Sequence, residues 1–303
     1  MSTLVTGASG FIGSYLTREL ISQGHSVVGI SKSIKERSLD RFAALQVDIT
    51  RTEDLKQLPA GIDVVFHLAA YTPRDYLDPK TAFTCLDVNA SGTLHVLEWA
   101  RNHGVQRFVY TSSQAVYSTP PHYLPVAEEH PTYPLGLASF YGASKLLGEI
   151  FTRRFAELGW LNTISLRLGS VYGADMNREH YLFRWLVQAK RGINLEIPAT
   201  PKRSADWVYV KDVVQACVRS CASDRGGVYN IGGGREVAIE DLAATVLAVV
   251  PCSSSRIIDP SVRPGASFRF YLDISKAQVE LGYQVRYPLR EGLLDTLEKV
   301  RTT

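Results

Sequence analysis

The chain has 303 residues, 45% of them hydrophobic and 21% charged, and its 33 lysines and arginines exceed its 30 aspartates and glutamates by three. These are the proportions of a globular protein of one large or two small domains, and they exclude a disordered or fibrous chain. The small, scattered positive excess excludes the counterion-releasing surface that nucleic acids require, while leaving room for a small anion held at one local site.

In chain order, the opening Met1-Ser2-Thr3-Leu4-Val5-Thr6-Gly7 has no basic n-region and meets a glycine too soon for a signal peptide. Short apolar, β-branched runs then recur at residues 3–6, 27–30, 45–47, 64–68, 108–111 and 164–168, separated by helical patterns. A strand that is apolar at every position is covered on both faces. The runs therefore predict an α/β fold: a doubly wound parallel sheet of Rossmann type, with helices on either side and right-handed crossovers. Beyond Gly169 the rhythm loosens into Gly- and Pro-containing, irregular order, which predicts a smaller α+β substrate lobe. The division expected is 1–169 plus about 205–231 for a dinucleotide-binding domain, with about 170–204 and 232–303 for the substrate lobe.

The first predicted strand runs directly into Thr6-Gly7-Ala8-Ser9-Gly10-Phe11-Ile12-Gly13, and the helical pattern Leu16, Leu20, Ile21 follows as far as Gly24. Glycines here permit a tight turn whose amides approach a pyrophosphate at the positive end of a helix. The spacing is Gly-x-x-Gly-x-x-Gly rather than the commoner Gly-x-Gly-x-x-Gly. The second strand ends in Ser31-Lys32-Ser33, with Lys35 and Arg37 close behind, where such folds usually carry an acid for the adenosine ribose. A carboxylate at Ser31 would repel a 2′-phosphate by about 3 kcal/mol at an effective dielectric near 20. Its absence, with Lys32 or Arg37 to bind the phosphate, favours NADP slightly over NAD. Asp48, ending the third strand, is placed to meet the adenine amino group, with Ile49 beside it.

Further along, Phe140-Tyr141-Gly142-Ala143-Ser144-Lys145 opens a helix with an apolar stripe of Leu147, Ile150, Phe151, Phe155 and Leu158. Tyr141 and Lys145, four residues apart, share one face. Ionising a phenol near neutral pH costs roughly 4 kcal/mol. One ammonium at close range supplies most of this and a nicotinamide ring cation the rest, so Tyr141 is expected to act as acid or base on a carbinol or carbonyl. Ser112 and Ser113 sit at the carboxyl end of the fifth strand, where open α/β sheets place ligands, and His67-Leu68-Ala69-Ala70 ends the fourth strand alike. Cys85, Cys217, Cys221 and Cys252 form no Cys-x-x-Cys pair, and the seven histidines show no ligand spacing, so no metal is expected. Cys217 and Cys221 share a helix face and read as buried small hydrophobes. A reducing, cytoplasmic compartment and no membrane contact are expected, since no apolar run nears the roughly 20 residues a bilayer requires.

Together, Gly7, Gly10 and Gly13, His67 to Ala70, Asn89 with Gly92-Thr93, Ser112-Ser113, Tyr141 to Lys145, Arg167 to Gly173, Asp206 to Val210, Tyr229 to Gly232, Arg263-Pro264-Gly265 and Leu281-Gly282-Tyr283 resemble the extended short-chain dehydrogenases/reductases, specifically the NAD-dependent epimerase/dehydratase branch. The resemblance covers nearly the whole chain. It implies hydride transfer between a nicotinamide and a sugar carbon, usually C4 of a nucleotide-activated hexose bound between two lobes. It makes Tyr141 the acid/base, Lys145 the group that lowers its pKa and holds the nicotinamide ribose, Ser113 the ligand of the reacting oxygen and Asn89 a support. Cofactor contacts are expected from Gly7, Ser9, Gly10, Phe11, Ile12 and Gly13, from Ser31, Lys32, Arg37, Asp48 and Ile49, and from Leu68, Ala69, Ala70, Ser112, Tyr141 and Lys145.

The chain departs from that pattern in places. Gln114-Ala115 stand where 4,6-dehydratases carry Asp-Glu, which argues against dehydration and for a 4-epimerase or 4-ketoreductase. Ser170 replaces the usual Asn of the substrate site. The family's arginine before Asp206 is Ala205, with Arg203 two residues earlier on the same strand face, and Arg263 is the better candidate for the substrate diphosphate because a guanidinium matches phosphate oxygens bidentately. Alternative readings are a reductase of a non-sugar carbonyl and a non-catalytic dinucleotide-binding relative. The resemblance also implies a homodimer through helices around 81–103 and 140–158, where Trp99, Phe151 and Phe155 serve either that contact or the sheet.

Overall fold

A computed structural model describes residues 1–76, 78–134, 138–198, 203–251, 253–259 and 268–300. Among these, β1 (Ser2–Thr6), β2 (Ser26–Ser31), β3 (Arg37–Leu39), β4 (Phe42–Gln46), β5 (Val64–His67), β6 (Arg107–Ser113), β7 (Asn162–Leu168) and the strand Gly227–Ile231 form one eight-stranded sheet. From one edge the order is Gly227–Ile231, β7, β6, β5, β1, β2, β4, β3. The fold is the doubly wound, Rossmann-type architecture expected. Every neighbouring pair is parallel except the antiparallel β3–β4 pair at the edge.

The helices of the first half are α1 (Phe11–Ser22), α2 (Thr52–Leu55), α3 (Lys80–Cys85), α4 (Gly92–Asn102) and α5 (Ser139–Glu157). Alternate residues of each strand feed two cores, which is why the strands read as continuous apolar runs. Val5, Phe66 and Val109 pack with Leu16 and Leu20 of α1 and with Val213 and Cys217 of the helix Val210–Ala222. Their neighbours Leu4, Val65 and Phe108 face the other way, onto Val96, Leu97 and Trp99 of α4 and Phe155 of α5. A third core joins Leu182 and Trp185 with Leu242, Val246 and Leu293.

The chain leaves β1 for β2 and β4 on one side, then places β5, β6 and β7 on the other. Strand order thus reverses between β1 and β5, where Thr6 lies opposite His67, and this is where such sheets open a ligand crevice.

Three details differ from the sequence reading. The third apolar run starts earlier, as Phe42–Gln46, and β3 has no counterpart among the predicted runs, because all three of its residues are exposed and leave no apolar signature. The apolar stripe expected on α5 is turned outward: Leu147, Ile150 and Leu158 are exposed, whereas Gly142, Ser144, Lys145, Gly148, Glu149 and Thr152 face the protein. The buried side is small and polar because the helix lies close against β6; a methyl on Gly148 would come within 2.4 Å of the Tyr110 hydroxyl. Trp99 and Phe155 pack on the sheet.

Among the described residues no helix is long and apolar enough to cross a membrane and no group of His, Cys, Asp and Glu is arranged for a metal. Cys85 and Cys217 are buried free thiols, Cys221 is half-buried, and Cys252 lies outside the described residues.

Candidate active site

At the head of β1, Gly7 takes φ +71°, and a methyl there would lie 2.9 Å from the Ala69 amide nitrogen. A methyl on Gly13 would meet the Gly7 carbonyl at 2.1 Å. Only glycine lets the turn fold this tightly against the start of α1. Helix α1 begins after Gly10 with no side-chain cap and no acid in its first turn, so its free positive end suits an anion. The bare turn, the uncapped helix and a buried, unpartnered Ser112 hydroxyl beside the crevice fit a dinucleotide.

The residues expected to meet the adenosine lie around the ends of β2 and β4. The Ser9 and Ser31 hydroxyls are 2.6 Å apart. Lys32 pairs with Asp48 at 3.1 Å. Burial pulls the Asp48 carboxyl up, but hydrogen bonds from Thr50 and Lys32 outweigh it and hold the group below its usual range. Ile49 is buried, its side chain close under Gly92. Arg37 is displaced onto the exposed β3, its guanidinium 5.2 Å from the Phe42 ring centroid.

Near the end of β6, the Tyr141 hydroxyl has Thr72 and Ser113 as polar neighbours that favour its ionised form. Lys145, one turn further along α5, is buried with its ammonium 4.3 Å from the Tyr110 ring centroid. Burial lowers Lys145 to about 7 against the opposing charge of Glu149. Burial, then Tyr76, push Tyr141 up to about 12 against the opposing effect of Thr72 and Ser113. The protein's own groups, without the nicotinamide cation that the expectation paired with Lys145, favour the protonated phenol. The same desolvation that brings the two groups into one dry site opposes the charge on each.

Asn89 lies in a π-helical turn, Leu86–Ser91, between α3 and α4. Its amide donates to the Tyr71 carbonyl at 3.0 Å and to Ser144 Oγ at 2.9 Å, and its Oδ1 accepts from the Tyr71 amide at 2.7 Å. Asn89 thus ties the loop carrying Thr72 to the helix carrying Tyr141. The segment Leu68-Ala69 is held by Thr6 Oγ1, which accepts both amides at 3.1 and 3.0 Å, and exposed Ala70 follows it.

Beyond β6, Gln114 donates to Ser170 Oγ at 3.1 Å while its Oε1 is buried without a partner. The Arg203 guanidinium lies 5.9 Å from the Tyr181 ring centroid. Arg263 lies outside the described residues. Sequence reasoning missed Thr72, Tyr76 and Cys85 beside Tyr141, and Glu149 beside Lys145. Thr72 had one available signal, its place in the loop leaving β5 at the ligand end of the sheet.

Residues 3–232 match the model of the NAD dependent epimerase/dehydratase family. The chain belongs to this family. Its extended short-chain dehydrogenase/reductase character, inferred from the motifs, follows with it, and it is an enzyme of that class. It is 35% identical over 318 residues to a UDP-glucose 4-epimerase of Mycolicibacterium smegmatis, covering 99% of each chain. It is 30% identical to a dTDP-4-dehydro-6-deoxy-D-allose reductase of a Streptomyces species, covering 97% of this chain and 94% of the other. Among solved structures, the UDP-glucuronic acid 4-epimerase of Bacillus cereus, in complex with UDP-glucuronic acid and NAD, superposes with TM-score 0.83 at 26% identity over 99% of this chain and 98% of the other.

Proposed function

We propose that this epimerase/dehydratase-family enzyme transfers hydride at C4 of a nucleotide-activated sugar, as a 4-epimerase or 4-ketoreductase. The observation that carries the reading is the placing of Tyr141 and Lys145 one helical turn apart on α5, with Ser113 at the end of β6 as a polar neighbour of the Tyr141 hydroxyl. Ser113 orients the reacting oxygen toward Tyr141, which delivers or removes its proton. Lys145 holds the ribose, and its ammonium works against the cost of a phenolate. A bound oxidised nicotinamide supplies the hydride acceptor and a second cation beside the phenol. Gln114 and Ala115 provide no acid–base pair for dehydration, and the free Oε1 of Gln114 is suited to a sugar hydroxyl.

NADP(H) is the cofactor we favour slightly over NAD(H), and with it a ketoreductase drawing on the reduced pool. Ser31 presents a hydroxyl where an acid would repel a 2′-phosphate, and Lys32, whose side chain is 83% exposed, can leave its pair with the largely buried Asp48 to meet that phosphate. Residues 1–169 and about 205–231 carry the dinucleotide; about 170–204 and 232–303 cover the substrate. Exposed Phe83, Leu86, Leu147 and Ile150 form the homodimer contact. Free buried thiols suit a reducing cytoplasm.

A panel of nucleotide sugars and their 4-keto forms, followed by NADPH absorbance and product identity, tests the reading. Stoichiometric NADPH loss identifies the reductase, and isomer formation without loss the epimerase. Tyr141→Phe is expected to lower kcat about 10³-fold or more with cofactor affinity retained; an active Tyr141→Phe variant overturns the mechanism.

A further inference from the structure

His67 is fully buried at the end of β5, and the proposed chemistry leaves it without a part. Its two ring nitrogens nevertheless join the two halves of the site. Nδ1 lies 2.8 Å from Thr6 Oγ1 and Nε2 lies 3.0 Å from Thr93 Oγ1.

The proton positions follow from counting donors and acceptors. Thr6 Oγ1 already accepts from the Leu68 and Ala69 amides, which fills its two lone pairs, so its own proton goes to Nδ1. At the other end, Thr93 Oγ1 donates to the Asn89 carbonyl at 2.7 Å, so it must accept from Nε2–H. Both ends give one answer: a neutral imidazole protonated on Nε2. Tyr110 and Phe108 cover the ring, with centroids 5.9 and 5.7 Å away. Burial, with the nearby Lys145 charge, drives its pKa down to about 3.

From Thr93 the chain of bonds continues through Asn89, whose amide donates to Ser144 Oγ, and Ser144 donates to the Tyr141 carbonyl at 2.8 Å. At the opposite end the Leu68-Ala69 segment is the backbone against which Gly7 packs. A directed run of hydrogen bonds therefore extends from the glycine turn to the helix of the acid/base.

We propose that His67, as its Nε2–H tautomer, is a positioning residue that sets the glycine turn and Tyr141 at the separation hydride transfer needs. A static link suits this purpose, because proton and hydride must leave the same carbinol in registered directions. Misplacement of reacting groups by about 1 Å costs about 10²-fold in rate.

The inference rests on the hydride-transfer reading for its rate measurement alone. Imidazole ¹⁵N resonances of the wild-type holoenzyme report the tautomer whatever the substrate proves to be. Nε2–H is expected, and Nδ1–H or an imidazolium at neutral pH overturns the proposal. For the rate, His67→Phe keeps the ring volume and removes both bonds, and a kcat lower by about 10²-fold is expected with KM nearly unchanged. His67→Gln retains one donor and one acceptor and is expected to restore kcat to within about tenfold of wild type, the scale of one or two neutral hydrogen bonds. A purely structural histidine would lower the melting temperature of both variants and leave kcat per folded molecule alone, which refutes the positioning role. If His67→Phe fails to fold, Thr93→Val, which breaks the same chain without loss of volume, is expected to show the kcat loss; wild-type turnover in it overturns the proposal.

Discussion

Glu149 and Arg167 meet between α5 and β7 through hydrogen bonds of 3.0 and 2.6 Å, with each side chain only 6% exposed. Arg167 also donates to the Tyr117 hydroxyl at 2.7 Å and the Glu128 carbonyl at 2.9 Å. Burial opposes its charge, yet the bonds and attraction of Glu149 hold the guanidinium above its usual range. Glu149 is at the same time one turn beyond Lys145 and supports the ammonium against desolvation.

Glu149→Gln leaves a dry guanidinium without its counter-charge. Loss of one partner of a buried pair costs roughly 3–5 kcal/mol, and chemical denaturation measures it. The Lys145 amine is expected to fall further in pKa, visible by nitrogen or carbon resonance of a labelled lysine. A stability loss under about 1 kcal/mol contradicts the buried-pair account.

The titration of Lys145 carries a stability signature of definite sign. Its pKa falls from an ordinary 10.5 to about 7 on folding. Between those values the unfolded chain binds more protons than the folded one, so this group's contribution to stability rises with pH, by at most about 1.4 kcal/mol per pH unit. Below about 7 both states are charged and the full cost of burying the ammonium is present. Lys145→Met is expected to flatten the profile of the cofactor-free protein from neutral to about pH 10; an unchanged slope counts against a buried amine that titrates near neutrality.

Ser31→Asp tests the cofactor preference. The new carboxylate is expected to weaken NADP relative to NAD by about 100-fold, the equivalent of about 3 kcal/mol of repulsion. Fluorescence titration with both cofactors reads the ratio, and equal loss for both shows that a 2′-phosphate does not sit there.

On α5, Ile150 is 40% and Leu147 36% exposed, and on the elements that α5 contacts Phe83 is 72% and Leu86 48% exposed. Burial of one such side chain is worth about 1.5–3 kcal/mol. Ile150→Asp is accordingly expected to sediment as a monomer at micromolar concentration while the wild type sediments as a dimer. A monomeric wild type removes the proposed contact.

What was legible in the sequence were features that one segment encodes by itself. The parallel strands showed as unbroken apolar runs, and the glycine turn showed because a tight strand-to-helix reversal requires residues without side chains. The spacing of Tyr141 and Lys145 put both on one helix face. What was not legible depends on partners distant in the chain. The outward turn of Leu147, Ile150 and Leu158 follows from Gly148 approaching Tyr110, and no local pattern contains that contact. Strand β3 has no buried face to announce it. The state of Tyr141 depends on Thr72 and Tyr76, residues that only the loop after β5 brings within reach. The sequence marks Arg203 as a displaced cation, but its partner, Tyr181, is a ring on another element.

The widened turn at Leu86–Ser91 makes the spacing of this stretch unforgiving. Excising one residue there would relax the bulge into an ordinary helix, leaving the flanking turns in register and changing the direction in which the residues of the widened turn point. Asn89 would then turn away from Tyr71 with its own chemistry intact. Length, and not merely residue identity, is thus under constraint between Lys80 and Asn102: a relative shortened within the widened turn would have no Asn89 brace for the helix that matches α5.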